Sequence, residues 1–252
     1  MIYVILGIFG LIFGSFFLVV ATRLPDGASI IKPGSHCDNC KHELKWYELI
    51  PVLSYIIQKG KCRSCGAKIP FLTVIIELIT AASFMLAYYL FKFDYKFYAV
   101  LILFSLTIII YISDFKYYII SDEPLFFSII AILALKFYFF NFHAFLYALI
   151  SGILMFLLFL SIKFFGDKAF KKESLGGGDI KLAILLGVTL GIKLGLAAFI
   201  LSAFLAFPYA LIVALVKKEP IVPYGPFIIG ALVIVFVFME KFSSIITEFF
   251  TI

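Results

Sequence analysis

Windows of about 20 apolar residues, enough to cross a ~30 Å bilayer core as helix, recur along almost the whole 252-residue chain. Eight can be placed, at 2–22, 71–91, 97–114, 124–140, 143–164, 178–192, 194–216 and 225–243. Hydrophobic residues make up 64% of the chain and charged residues 14%, against about 45–50% and about 25% in soluble domains. A soluble fold of this size cannot hide that much apolar surface. The same figures exclude disorder, a coiled coil and a secreted disulfide scaffold. The expected fold class is an all-α polytopic membrane protein with about eight transmembrane helices and one small polar insertion. The sixth window is short and opens in glycine, and the fourth and fifth meet at a tight turn near Asn141. The 32 Phe and 14 Tyr are expected to face lipid and neighbouring helices.

Orientation follows from lysine and arginine, which favour the cytoplasmic side of short loops. The first window has no basic residue before its apolar run, and Arg23 follows it. That polarity is opposite to a secretory signal, so a retained helix with its N-terminus outside is expected. The inside segments then hold Arg23, Lys32, Lys41, Lys45, Lys59, Lys61, Arg63, Lys68, Lys116, Lys163, Lys168, Lys171, Lys172, Lys217 and Lys218. The outside segments hold only Lys92, Lys96, Lys136, Lys193 and Lys241, while Lys181 lies within a span. This bias places both termini outside and assigns the +6 charge to topology and anionic lipid contact rather than to nucleic acid.

Residues 24–70 form the one long polar stretch and hold all four cysteines, as Cys37-x-x-Cys40 and Cys62-x-x-Cys65. Two such knuckles offer four thiolates, the tetrahedral set of a structural zinc site. Their 21-residue separation lies just beyond the usual spacing. A pair of disulfides or a redox pair is the alternative, and the reducing cytosol disfavours the first. Four cysteines leave no open position for substrate, so the metal's expected role is structural. His36 and His42 flank the first knuckle as outer residues rather than ligands.

Ionisable groups in apolar spans are costly and usually functional. Glu77, Asp114 and Asp179 adjoin or enter such spans. Asp114 ends the third window and Asp179 begins the sixth, so the topology brings both to the same membrane face. Asp179 closes the run Gly176-Gly177-Gly178-Asp179, whose glycines permit close backbone approach. It stands in the first turn of a helix, where the dipole favours the anion, and Asp114 at a helix C-terminus, where it does not. A pair in such unlike settings can divide the roles of base and acid, as in aspartic protease dyads. The alternatives are an N-cap role for Asp179 and a solvated loop position for Asp114. Asp122 and Glu123 are rival partners that read as the N-cap and first turn of the fourth helix before Pro124. Glu77 is open between a structural partner and a site residue.

Several runs together resemble the type IV prepilin peptidase family, bifunctional leader peptidases and N-methyltransferases. They are Gly14-Ser15-Phe16 through Arg23-Leu24-Pro25, the block from Ser35 to Pro70, the Glu77 position, the run DFKYYIISDE from Asp114, LGGGDIKLAILLG, and VPYGPFIIG. GGGD alone is shared with presenilin-like intramembrane aspartyl proteases. The resemblance implies that Asp114 and Asp179 are the catalytic pair. It implies that a prepilin or pseudopilin leader is cut at the cytosolic membrane face, just after its final glycine. It implies methylation of the new N-terminus from S-adenosylmethionine, with Glu48 as a candidate donor-binding residue. It also implies zinc on Cys37, Cys40, Cys62 and Cys65, and a place in the cytoplasmic membrane of a prokaryote. The expected organisation is a first transmembrane helix over 1–23, a cytosolic zinc-binding insertion tied to methylation over 24–70, and a peptidase core over 71–252. Three departures stand out: Leu18 where the family usually has Asn, Ser121 where it usually has Pro, and Asp38 where it often has Pro. Leu18 removes an amide near the cytosolic end of the first helix and bears on methylation more than on cleavage. The rivals are a peptidase that no longer methylates and a proton-coupled transporter, which would want midplane acids and an internal repeat. No HExxH run supports a zinc protease.

Overall fold

The computed structural model describes residues 1–172, 174–216 and 222–250. Lys217 and Lys218 of the orientation argument lie outside them. The described chain is helical apart from turns and two isolated β-bridges. It divides into two compact units, Met1–Phe97 and Tyr98–Ile252.

The first unit pairs α1 (Ile2–Arg23) with α3 (Leu72–Phe91). At 22 residues, α1 is about 33 Å long at 1.5 Å per residue, which matches the bilayer core. Lipid tails are as apolar as leucine, so the pair is held by close packing over small residues. Gly10 and Gly14 provide it: a Cβ on Gly10 would lie 2.5 Å from Ala81 Cα, and one on Gly14 would lie 2.8 Å from Glu77 Cα. Between these helices sit a 3-10 turn (Trp46–Glu48) and the short α2 (Leu53–Ile57).

The second unit carries α4 (Tyr95–Tyr117), which begins just before the unit boundary, then α5 (Asp122–Phe139) and α6 (Phe142–Phe170). α7 (Gly177–Val216), α8 (Gly225–Val237) and α9 (Met239–Phe250) follow. The tight turn at Asn141 is an N-cap whose side chain accepts the Ala144 N–H at 2.8 Å. α6 and α7 approach so closely that a Cβ on Gly187 would lie 2.3 Å from the Ser151 carbonyl oxygen. Phe159 and Phe199 stack edge-on between them at 4.4 Å. The buried side chains of α8, including Ile228, Leu232 and Phe236, complete the apolar interior of this unit.

The all-helical membrane fold stands, but the count of spans changes. Among the described residues five helices are long and apolar enough to cross a membrane, α1, α3, α4, α6 and α7, or six if α8 and α9 act as one bent span. Each of the eight expected windows falls on helix, and the difference has physical causes. α5 misses that measure only through Asp122 and Glu123 in its first turn and Lys136 in its last, and a crossing by α5 is what lets Asp114 at the end of α4 and Asp179 at the start of α7 line one cleft. The sixth and seventh windows form one 40-residue element, α7, broken at Gly191 with φ 76° and ψ 178°. Unbroken it would be about 60 Å long, twice the hydrocarbon core. Lys136 Nζ donates to the Thr189 carbonyl at 3.2 Å beside the break, where a helix end leaves carbonyls unpaired. α9 turns 87° away from α8.

Candidate active site and metal centre

α4 delivers Asp114 in its last full turn, and the residue is 6% exposed. α7 delivers Asp179 in its first turn. Both line one cleft of about 1120 Å³, together with Ile120, the three glycines Gly176 to Gly178, Lys181 and Tyr224. The two aspartates that the sequence placed at matched depth are thus brought to one cavity.

Three elements shape that cavity. The loop after α4 inserts Ile120 between two glycines: a Cβ on Gly178 would meet its Cδ1 at 3.0 Å, and one on Gly225 at 2.6 Å. The start of α8 gives the Gly225 N–H, which donates to Asp114 Oδ2 at 3.1 Å. That bond uses one of the backbone donors a helix N-terminus leaves free. The loop before Gly176 is tied to α6. Lys163 Nζ donates to the Leu175 carbonyl at 2.7 Å, and Asp167 Oδ1 accepts the Ser174 N–H at 2.6 Å and its hydroxyl at 2.7 Å. The glycine run is therefore held at both ends, by α6 before it and by its own helix after it. Tyr224 closes the far wall and its hydroxyl pairs with Ser202 Oγ at 2.8 Å.

Sequence reasoning did not assign roles to Gly225, Ile120, Lys163 or Asp167. Gly225 lies in VPYGPFIIG, which was quoted for the resemblance alone, and the spacing from Asp114 to Gly225 gives no local signal. Asp122, the rival partner, does not itself line the cleft: both its oxygens accept from Nζ of the cleft-lining Lys181, at 2.6 and 2.7 Å. Glu123 stands beside it in the first turn of α5. Glu77 belongs to the first unit, where it is 4% exposed and accepts the Val52 N–H at 2.8 Å.

The four cysteines converge. Their sulfurs all lie within 4.8 Å of one another, with Cys37 to Cys65 at 3.8 Å and Cys40 to Cys62 at 3.9 Å. A tetrahedron with zinc–sulfur bonds of about 2.3 Å has edges near 3.8 Å, and a disulfide would bring two sulfurs to about 2.05 Å. All four are free. The two knuckles repeat one backbone design. Cys37 N–H donates to the His42 carbonyl and Lys41 N–H returns to the Cys37 carbonyl; Cys62 with Ala67, and Gly66 with Cys62, do the same. The residue after each second cysteine, Lys41 or Gly66, has φ near +57° or +71°. The Ala67 N–H first, then Asn39 and Cys40, pulls the Cys65 thiol down to about 6. Cys40 feels the lowering pull of the His42 backbone, but desolvation and the neighbouring sulfurs push it up to about 11. Four sulfurs at this spacing could hold a metal such as zinc.

Glu48 lies inside this insertion. Its side chain accepts the Lys45 N–H at 3.0 Å and stands 3.5 Å from His42 Nε2. The Lys45 N–H first, then His42, holds its carboxyl below the usual range against the opposing cost of burial. Arg63 stacks on the neighbouring Tyr47 ring at 5.1 Å.

Comparison with known proteins identifies the family. A family described as the Bacterial Peptidase A24 N-terminal domain matches residues 8–91, and the Type IV leader peptidase family matches residues 101–211. A prepilin leader peptidase/N-methyltransferase of Bacillus subtilis is 33% identical over 246 residues, covering 95% of this chain and 96% of that relative. One from Myxococcus xanthus is 34% identical over 189 residues, 74% of this chain and 56% of the longer relative. One from Klebsiella pneumoniae is 33% identical over 187 residues, 72% of this chain and 82% of the relative. No solved structure matches. With two family matches that together run from residue 8 to residue 211 and a relative alike along almost its whole length, this multi-pass membrane protein belongs to the type IV prepilin leader peptidase family.

Proposed function

We propose that the chain cuts the leader from type IV prepilins or pseudopilins with Asp114 and Asp179 as its catalytic pair, and then methylates the new N-terminus. The observation that carries this reading is the shared cleft, which takes one carboxylate from the end of α4 and the other from the start of α7. The aspartates share one proton between them, as paired carboxylates do. The ionised member takes a proton from water as the water oxygen bonds to the scissile carbonyl carbon. The protonated member donates toward the carbonyl oxygen. When the C–N bond breaks, the leaving amine takes up a proton from the pair and the carboxyl product departs. Gly225 N–H fixes the rotamer of Asp114 throughout, and the glycine run leaves room for the substrate backbone beside Asp179.

The basic excess of the segments assigned inside supports a cleft at the cytosolic membrane face of a prokaryotic cell. Organisation into a first span over 1–23, a zinc insertion over 24–70 and a peptidase core over 71–252 fits this reading. Zinc on Cys37, Cys40, Cys62 and Cys65 would fix the shape of the insertion and leave no position for substrate. S-adenosylmethionine would supply a methyl cation equivalent to the freed amine. A second reading, a peptidase without methylation, is favoured by one observation. The Glu48 carboxylate is turned into the insertion, so it offers little to a methyl donor.

Co-expression with a prepilin followed by the mass of the product's N-terminus separates these readings. Loss of the leader with one added methyl group supports both activities. Loss of the leader alone supports the second reading, and an intact leader defeats the proposal.

A further inference from the structure

The polar insertion carries an apolar foot that neither the cleft nor the cysteine site uses. α2 exposes Leu53, Ile56 and Ile57, at 56, 63 and 66%, and Ile50 just before it is exposed as well. Exposed apolar clusters of this kind mark a contact surface.

Three observations set its depth and its partner. The first is the bond from Val52 N–H to Glu77. Glu77 lies five residues into α3, about 7.5 Å along the axis, so the start of α2 is level with the second turn of a membrane-capable helix. The second is continuity. The Tyr55 ring packs on Phe71 at 5.9 Å, and Phe71, Leu72 and Ile75 of the same helix start are exposed too. α2 therefore extends the apolar surface of α3 sideways. The third is charge: Lys59 and Lys61 follow directly and are exposed. Lysines beside an apolar patch match anionic headgroups.

The backbone is strained to reach this arrangement. Val52 has φ 61° and ψ −51°, and the Leu53 N–H closes back on the Pro51 carbonyl at 2.6 Å. A γ-turn with positive φ is rare, and rarer for a β-branched residue. Such strain persists only where the surroundings fix it. The Glu77 carboxylate is the group that meets the Val52 N–H.

We infer that α2 is a membrane-interface foot: Ile50, Leu53, Ile56 and Ile57 lie in the headgroup–acyl boundary, held there by Glu77, with Lys59 and Lys61 on anionic lipid. This gives the buried carboxylate of Glu77 a task distinct from catalysis. It anchors the cysteine insertion against the bilayer.

The chain has a single tryptophan, which makes the depth measurable. Trp46→Phe removes it and Ile56→Trp places a reporter in the foot. The full-length variant is reconstituted in phosphatidylcholine–phosphatidylglycerol vesicles, with bromine on the acyl chains near the headgroup or near the chain end. Headgroup-proximal bromine is expected to quench most of the emission, chain-end bromine much less, and aqueous iodide little. Adding Glu77→Ala should shift quenching from bromolipid toward iodide while the protein still accumulates in membranes. Strong iodide quenching with no bromolipid effect in the Ile56→Trp protein overturns the inference. So does protection from iodide that appears only when a prepilin is added, which would make the occupant a protein.

Discussion

Gly225 donates its N–H to Oδ2 of Asp114 at 3.1 Å, across 111 residues of chain. The bond fixes one carboxylate of the pair from the N-terminus of a different helix. A Cβ at position 225 would sit 2.9 Å from that oxygen and 2.6 Å from Ile120 Cδ1. Gly225→Val is therefore expected to displace Asp114 and lower kcat by about 10²-fold, the scale of a 1 Å misplacement. Initial-rate assays on a prepilin peptide in detergent check this, with protein level as the control. A variant with normal kcat removes Gly225 from the account.

Asp122 is a different matter. Both its oxygens are taken by Lys181, and it does not line the cleft. The pair is partly exposed, at 39% for Lys181 and 46% for Asp122, so its stabilisation is screened to below about 1 kcal/mol. Asp122→Asn is expected to retain cleavage within a few-fold and to shift the melting temperature little. Complete loss of cleavage in a well-folded Asp122→Asn protein would return Asp122 to candidacy as an acid of the pair.

Four converging cysteines predict one metal ion per chain. Metal analysis of purified protein should find it, and a chelator should lower the thermal stability of the wild type, because binding energy at such sites is folding energy. Cys62→Ser changes the one buried ligand and should abolish both the metal and the chelator effect. Unaltered melting after verified metal removal contradicts the structural role.

Ser121 stands at the N-cap of α5, where Ser→Ala ordinarily costs about 0.5–2 kcal/mol. Here the hydroxyl makes no cap bond and is buried without a hydrogen-bond partner among the described residues. Removing an unsatisfied buried group relieves desolvation, so Ser121→Ala is expected to be neutral or stabilising by up to about 1 kcal/mol. Thermal denaturation in one detergent decides the sign. A clear loss of stability shows that the hydroxyl has a partner.

Much of this was legible because membrane sequences offer few polar residues, and those kept are costly. The pairing of Asp114 with Asp179 came from counting lysines and spans, and the cysteine tetrahedron from two short spacings. What stayed hidden depends on tertiary contact. The break at Gly191 looks like any glycine in an apolar run until α7 proves too long for a bilayer. The charges at the two ends of α5 were visible, but Lys136 meets the Thr189 carbonyl only in the fold. Glu77 could be flagged as expensive, yet its partner is the backbone of Val52, which carries no sequence signal. The Gly10-x-x-x-Gly14 spacing is legible as a close-packing motif, but its partner, the Glu77–Ala81 face of α3, appears only in the fold.

The central claim is that Asp114 and Asp179 act as one pair. The direct measurement is the N-terminal mass of a prepilin co-expressed with wild type, Asp114→Asn or Asp179→Asn, at matched levels of membrane protein. The account predicts a shortened product with wild type and an intact leader with either variant, a loss of about 10²–10⁴-fold or more in rate. Full leader removal by either variant would contradict it.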